Sequence, residues 1–336
     1  MKSPGVLASR FSLLASCSGA WFGVLVLLLV GLLPSVAAAG ERYAVLISGV
    51  SGEEKYAAQQ QKWRAELAAF LTTGFAFSDA NVVNLDELSG GSSRATAANV
   101  RRLFGDLRRR LTRDDMLMVV LIGHGTYDGT DAKFNLVGPD LNAADWKALL
   151  DGLPGRLVVV NTTASSFPFL EELSRDGRVV ITATDSAAQR FATVFPEYFT
   201  RALADRSSDL DKNGRVSVWE AFTAASAGVK RHYEQRGSLS TERPVLDDNG
   251  DGQGREADTP GEDGAVARTI YLDPDPGTAT GDAELAALER QRLALEQQLE
   301  ALKVRRTSMS EAEYQAELEK ILVELAKIAQ DIRRRS

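Results

Sequence analysis

Cysteine is nearly missing from this chain. Cys17 is the only one in 336 residues, and it lies inside an apolar N-terminal segment. If that segment is a leader and is removed, the rest of the chain has no thiol, which excludes disulfide cross-links and thiolate chemistry. Histidine is almost as scarce, with His124 and His232 alone. Two imidazoles without a thiolate leave no zinc centre of the usual donor set. A basic excess is missing too, since 39 Lys and Arg stand against 46 Asp and Glu for a formal charge of −7. Nucleic-acid partners call for a basic face, so that balance speaks against them. Beyond the leader no apolar run is long enough to span a bilayer.

What is present begins with that leader. Lys2 and Arg10 precede an apolar stretch from Ala20 to Leu33, followed by Pro34 and "SVAAAG". A positive flank, a short apolar centre and a small-x-small site predict a signal peptide over residues 1–39, cut after Ala39. The mature chain is then secreted or periplasmic. An uncleaved anchor is the alternative, although the run is short for one. Hydrophobic residues make up 44% of the chain, enough for one large domain with a sizeable core.

Strand and helix patterns alternate through residues 41–271. "RYAVLISGV", "NVVNLD", "DMLMVVLIGHG", "GRLVVVN" and "GRVVITATD" read as strands separated by amphipathic helices. Continuous apolar runs imply strands covered on both faces, so the expected fold is a three-layer α/β sandwich with a mostly parallel sheet. "LDPDPGTATGD" (272–282) reads as a linker. From 283 to 336 leucines and isoleucines recur in steps of three and four, and Ser310 with Glu313 offers a capping box between two such stretches. This predicts a helical hairpin, or a coiled coil that makes a homo-oligomer.

Two chemical constellations stand out. His124 sits between two glycines at the carboxyl end of a buried strand, where α/β sheets gather their sites. Glycine lets the backbone approach a ligand, and the Gly125 amide could hold a developing oxyanion. The next strand ends in "NTTASSF", where Thr163 and Ser165 supply hydroxyls.

Five segments in order, "RYAVLISGVSGEEKY", "MVVLIGHGTYDG", "RLVVVNTTASSFPF", "VVITATDSAAQRFATVFPEYFTRAL" and "VLDDNGDGQG", together resemble the bacterial legumain-like cysteine peptidases of caspase-like fold, over residues 42 to 258. The resemblance implies a histidine–cysteine dyad. Its histidine matches His124, and its cysteine position falls on Thr163, with Ser165 in the following turn. A threonine hydroxyl is far less acidic than a thiol, and Thr163 has no free amine of its own to activate it. The implied function is therefore a silenced peptidase homologue that binds a peptide or protein partner. An endopeptidase using His124 with the hydroxyl of Thr163 or Ser165 is the alternative, with Asp185 or Asp128 to orient the imidazole. A structural assembly protein, oligomerising through its C-terminal helices, is the third.

The second constellation is "DLDKNGRVSVWE", residues 209–220. Asp209, Asp211, Asn213, the Arg215 carbonyl, Ser217 and Glu220 fall at positions 1, 3, 5, 7, 9 and 12 of an EF-hand loop, and Gly214 takes the turn at 6. Such a loop wraps its oxygens around Ca2+. "DDNGDGQGREAD" (247–258) echoes the pattern, but Asp258 is a short closing ligand at position 12.

Overall fold

The computed structural model describes residues 40–274 and 282–335. The signal-peptide segment and most of the predicted linker lie outside the described residues. Among the described residues, no helix is long and apolar enough to cross a membrane.

The chain first lays down β1 (Arg42–Ser48), β2 (Val82–Leu85) and β3 (Met116–Ile122). It then makes a small antiparallel sheet from β4 (Gly125–Tyr127), β5 (Ala132–Phe134) and β6 (Leu141–Asn142). β7 (Arg156–Asn161), β8 (Val179–Thr182) and β9 (Val245–Asp247) complete the main sheet, whose order is β2-β1-β3-β7-β8-β9. The first five of these are parallel, and β9 alone runs antiparallel, on β8. The fold is thus mixed α/β with a mainly parallel central sheet.

Alternation along each strand sorts its residues between two cores. Leu46, Val120, Val160 and Ile181 point to one face, where α1 (Glu54–Ala69) sends Leu67. Ile47, Val119, Val159 and Val180 point to the other. There α2 (Ala97–Arg110) contributes Val100, Phe104 and Leu107, and α3 (Ala143–Leu150) adds the buried Trp146. α4 (Phe167–Leu173) also lies on this second face. α5 (Phe195–Ala204) and α6 (Val218–Gln235) return to the first, with Phe195, Phe199 and Phe222. Each fully buried Leu, Val or Phe contributes roughly 1.5–3 kcal/mol, so covering both faces is what lets strands this apolar exist in water.

Local chemistry sets the helix ends. Thr96 caps α2 by accepting from the Asn99 N–H at 3.2 Å. Arg108, Arg109 and Arg110 fill its last turn, where cations complement the helix dipole. Beyond the linker, α7 (Ala283–Arg305) and α8 (Glu311–Arg335) enclose Leu295, Leu302, Tyr314, Ile321 and Ile328 between them. Ion pairs Arg335–Glu284 at 2.6 Å and Arg305–Glu317 at 3.1 Å join opposite ends of the two helices, so they run antiparallel. Ser310 caps α8, with its hydroxyl 2.6 Å from the Glu313 carboxylate.

α5 is capped from a distance. It has Pro196 in its first turn and no side-chain cap of its own. Glu242, 1% exposed, accepts from the Val194 N–H at 2.7 Å, the Phe195 N–H at 3.1 Å and the Tyr233 hydroxyl at 3.0 Å. Burial outweighs these three hydrogen bonds and pushes the Glu242 carboxyl up to about 7. The folded state therefore binds this proton more tightly than the unfolded chain does, and stability falls as pH rises from the ordinary glutamate range through about 7, by on the order of 3 kcal/mol. Glu242→Gln keeps one acceptor without the charge. In denaturant titrations at pH 5 and pH 7.5, the variant should gain on the wild type at the higher pH; parallel profiles would refute the assignment.

Candidate functional site

The sheet order makes β1 and β3 neighbours whose connections leave in opposite directions, and the crevice outside their carboxyl ends is where open α/β sheets bind ligands. Gly49 and Val50 follow β1 there, and Gly123, His124 and Gly125 follow β3. The next strand in the sheet, β7, delivers Thr162 to Ser166 beside them.

His124 is half-buried and oriented. Its Nε2 lies 2.9 Å from the Ser51 carbonyl, and because a carbonyl can only accept, Nε2 carries the proton. The edge of Tyr56 meets the imidazole with ring centroids 4.9 Å apart. Ser51 is itself fixed, since its N–H and hydroxyl both donate to Glu87 beyond β2. The orienting group is thus a backbone carbonyl, and neither aspartate that the endopeptidase alternative offered for that role occupies it. Asp128 instead pairs with Lys133 at 2.8 Å, and Asp185 with Arg243 at 3.3 Å.

Thr163 is fully buried, and its hydroxyl donates to Asn161 Oδ1 at 2.8 Å. The Thr163 N–H donates to the same oxygen at 3.1 Å, so Asn161 closes a tight turn at the end of β7. Ser165 has φ 50°, a left-handed conformation that costs a non-glycine residue on the order of 1 kcal/mol. Two contacts hold it: its hydroxyl donates to the Ala187 carbonyl at 3.0 Å, and its N–H to the Gln189 carbonyl at 2.8 Å. Among the described residues no hydrogen bond joins His124 to Thr163 or Ser165. The structure brings the His124 and Thr163 loops together but commits both hydroxyls to other partners.

Gly125 is the point of closest approach. A Cβ there would stand 2.3 Å from the Ala164 carbonyl oxygen and 2.5 Å from Thr163 Oγ1. The Asn135 N–H donates to the His124 carbonyl at 3.1 Å, which leaves Gly125 opposite Phe134 in a non-hydrogen-bonded pair with its own N–H turned away from β5. A cleft of ≈ 240 Å³ opens on the β1–β2 side, lined by Ser48, Gln60, Arg64 and Glu87. One of ≈ 380 Å³ opens on the other, lined by Tyr127, Phe167, Asp185 and Ala187.

The acidic loop lies elsewhere, between α5 and α6. Asp209, Asp211 and Glu220 bring one carboxylate oxygen each within 4.8 Å of one another. Asp209 accepts from the Gly214 N–H at 2.9 Å and Asn213 from the Arg215 N–H at 2.8 Å, which curls the loop inward. Glu220 closes it: Oε1 accepts from the Leu210 N–H and Oε2 from the Ser217 N–H, both at 2.8 Å. Ser217 caps α6 with the same hydroxyl that was expected to serve at position 9. The donor set is all oxygen with three carboxylates, which fits a hard cation such as Ca2+. Burial holds the Asp211 carboxyl above its ordinary value. The Arg215 guanidinium stacks 4.0 Å over Tyr271, whose burial pushes its hydroxyl up to about 12. Glu296 of α7 lies within electrostatic range of both Arg215 and Asp211. His232 packs against Tyr198, whose hydroxyl is 3.0 Å from its Nδ1.

No family model matches this chain, and no curated protein does. Among solved structures, it is similar to a Geobacter sulfurreducens protein determined as a structural-genomics target, at 15% identity and TM-score 0.41, over 61% of this chain and 92% of that one. It is also similar to a secreted C11 cysteine protease from Bacteroides thetaiotaomicron, solved with an irreversible peptide inhibitor, at 12% identity and TM-score 0.37, over 62% of this chain and 66% of that one. Values this low leave the site to be read from its own residues.

The steric role of Gly125 is open to test. Gly125→Ala should cost about 2 kcal/mol or more, because backbone atoms of the Thr163 loop must move to admit a methyl group. Gly105→Ala, in α2 with nothing within 4 Å of the added atom, should be neutral or stabilising by up to about 1 kcal/mol. Equal midpoints for the two variants in urea would contradict the close contact.

Proposed function

We propose that this chain is a secreted peptidase homologue of caspase-like fold that no longer hydrolyses peptides, and that it binds Ca2+ together with a peptide or protein segment. The observation that carries the reading is the fate of the Thr163 hydroxyl: it is buried and donates to Asn161, and among the described residues no hydrogen bond joins it to His124. A nucleophile needs a base within hydrogen-bond reach and an open path to the carbonyl it attacks. Thr163 has neither in this arrangement. What remains is a crevice with a fixed imidazole, the Gly125 amide and a cleft on each side, features suited to holding an extended segment. Asp209, Asp211 and Glu220, with Asn213 and the Arg215 carbonyl, form the proposed Ca2+ site. The ion would offset the mutual repulsion of three carboxylates and tie α5 to α6.

The endopeptidase alternative requires Thr163 or Ser165 to turn towards His124 and break the hydrogen bonds just described. An assembly role has less to draw on, because the apolar residues of α7 and α8 largely face one another.

Incubation with fluorogenic peptides carrying Asn, Asp or Arg at the scissile bond should give no turnover, and Thr163→Ala should change nothing. Turnover lost in both His124→Ala and Thr163→Ala would sink the silenced reading. Separately, Ca2+ should raise the melting temperature by several degrees over chelator in the wild type. Glu220→Gln should remove at least part of that difference.

A further inference from the structure

Asp247, at the end of β9, opens a loop that repeats the internal hydrogen bonds of the Asp209 loop. Asp247 Oδ2 accepts from the Gly252 N–H at 2.7 Å, as Asp209 Oδ2 does from Gly214 at 2.9 Å. Asn249 accepts from the Asp251 N–H at 2.8 Å, as Asp211 does from Asn213 at 3.0 Å. Asp251 accepts from the Gln253 N–H at 2.7 Å, as Asn213 does from Arg215 at 2.8 Å. The sixth residue is a glycine of positive φ in both, 85° at Gly214 and 71° at Gly252. In each loop the ninth residue makes an antiparallel bridge, Ser217 with Tyr271 and Arg255 with Leu246.

The closing ligand differs. Asp258, at the twelfth position, has a side chain 66% exposed and is 3.7 Å from Lys230. Asp263 is the carboxylate that has come inside. It is 5% exposed, its Oδ1 accepts from the Asp248 N–H at 3.2 Å, and its Oδ2 is buried with no hydrogen-bond partner. The acidic charges that act on it are Asp247, Asp248 and Asp251. Asp248 holds it there, accepting from the Gly264 N–H at 2.9 Å and the Ala267 N–H at 2.8 Å. A buried carboxylate among three others is costly without a counter-charge. Protonation would remove the charge but would leave an O–H at Oδ2 buried without an acceptor.

We infer that the Asp247–Gly252 loop and Asp263 form a second divalent-cation site, of Ca2+ chemistry, in which Asp263 supplies the closing carboxylate. Asp247, Asn249 and Asp251 offer the remaining side-chain oxygens. The three acidic side chains are not gathered within 4.8 Å as those of the Asp209 loop are, so binding draws the exposed Asp251 inward. Ser174, just beyond α4, donates to Asp247 Oδ2 at 2.7 Å and accepts from the Gly252 N–H at 2.9 Å, which places the site against the helix that follows the Thr163 loop.

Calorimetric titration of the full chain with Ca2+ tests this apart from the first site. The wild type should take two equivalents, and Glu220→Gln, Asp251→Asn and Asp263→Asn one each. One wild-type equivalent, abolished by Glu220→Gln and untouched by Asp251→Asn, overturns the second site and leaves the first. One equivalent abolished by Asp251→Asn and untouched by Glu220→Gln overturns the first and keeps the second. Two equivalents in Asp263→Asn overturn the role of that residue, and no heat of binding overturns both sites.

Discussion

Four parallel strands buried on both faces, β1, β3, β7 and β8, leave the chain few places to put polar chemistry. Side chains within the strands must be apolar, and each backbone N–H and C=O between neighbours is spent on the ladder. Functional groups can collect only where the strands stop. At the carboxyl ends of β1, β3 and β7 this constraint gathers Ser51, His124 and Thr163 from three distant parts of the sequence. The close approach of Gly125 to Thr163 and Ala164 follows, because neighbouring strands of a sheet end only about 5 Å apart.

The same constraint shapes the hydroxyl cluster after β7. With Thr163 and Ser166 fully buried and Ser165 nearly so, each polar group must find a partner inside the protein. Asn161, Ala187 and Thr184 meet that need. A thiol in place of the Thr163 hydroxyl would make weaker demands as a donor and could stay unengaged at lower cost. Threonine at this position favours a turn locked by hydrogen bonds over one that leaves an atom ready to react.

Much of the architecture was legible in the chain because it rests on periodicity. The apolar runs at 42–48, 116–122, 156–161 and 179–182 are continuous since both faces are covered. The pairing of the His124 and Thr163 loops was implied by the resemblance of the five ordered segments and not by the strands themselves. Pairings across long separations were not. Ser51 contacts His124 through a backbone carbonyl, which any residue could supply. Glu242 caps a helix nearly fifty residues upstream and sits among Ser, Thr and Arg with no repeating pattern. Asp263 was hidden for a related reason: it lies beyond the twelve-residue frame in which a calcium loop is sought, and only the turn held by Asp248 brings it back.

Arg215 belongs to two structures at once. Its carbonyl stands at the seventh position of the acidic loop, while its guanidinium rests on Tyr271 and senses Glu296 of α7. A residue shared in this way cannot adjust to one neighbour without informing the other. If the loop takes up the proposed ion, the C-terminal helices would contribute to how tightly it is held, and by the reciprocity of linked equilibria the ion would contribute to how firmly those helices are seated.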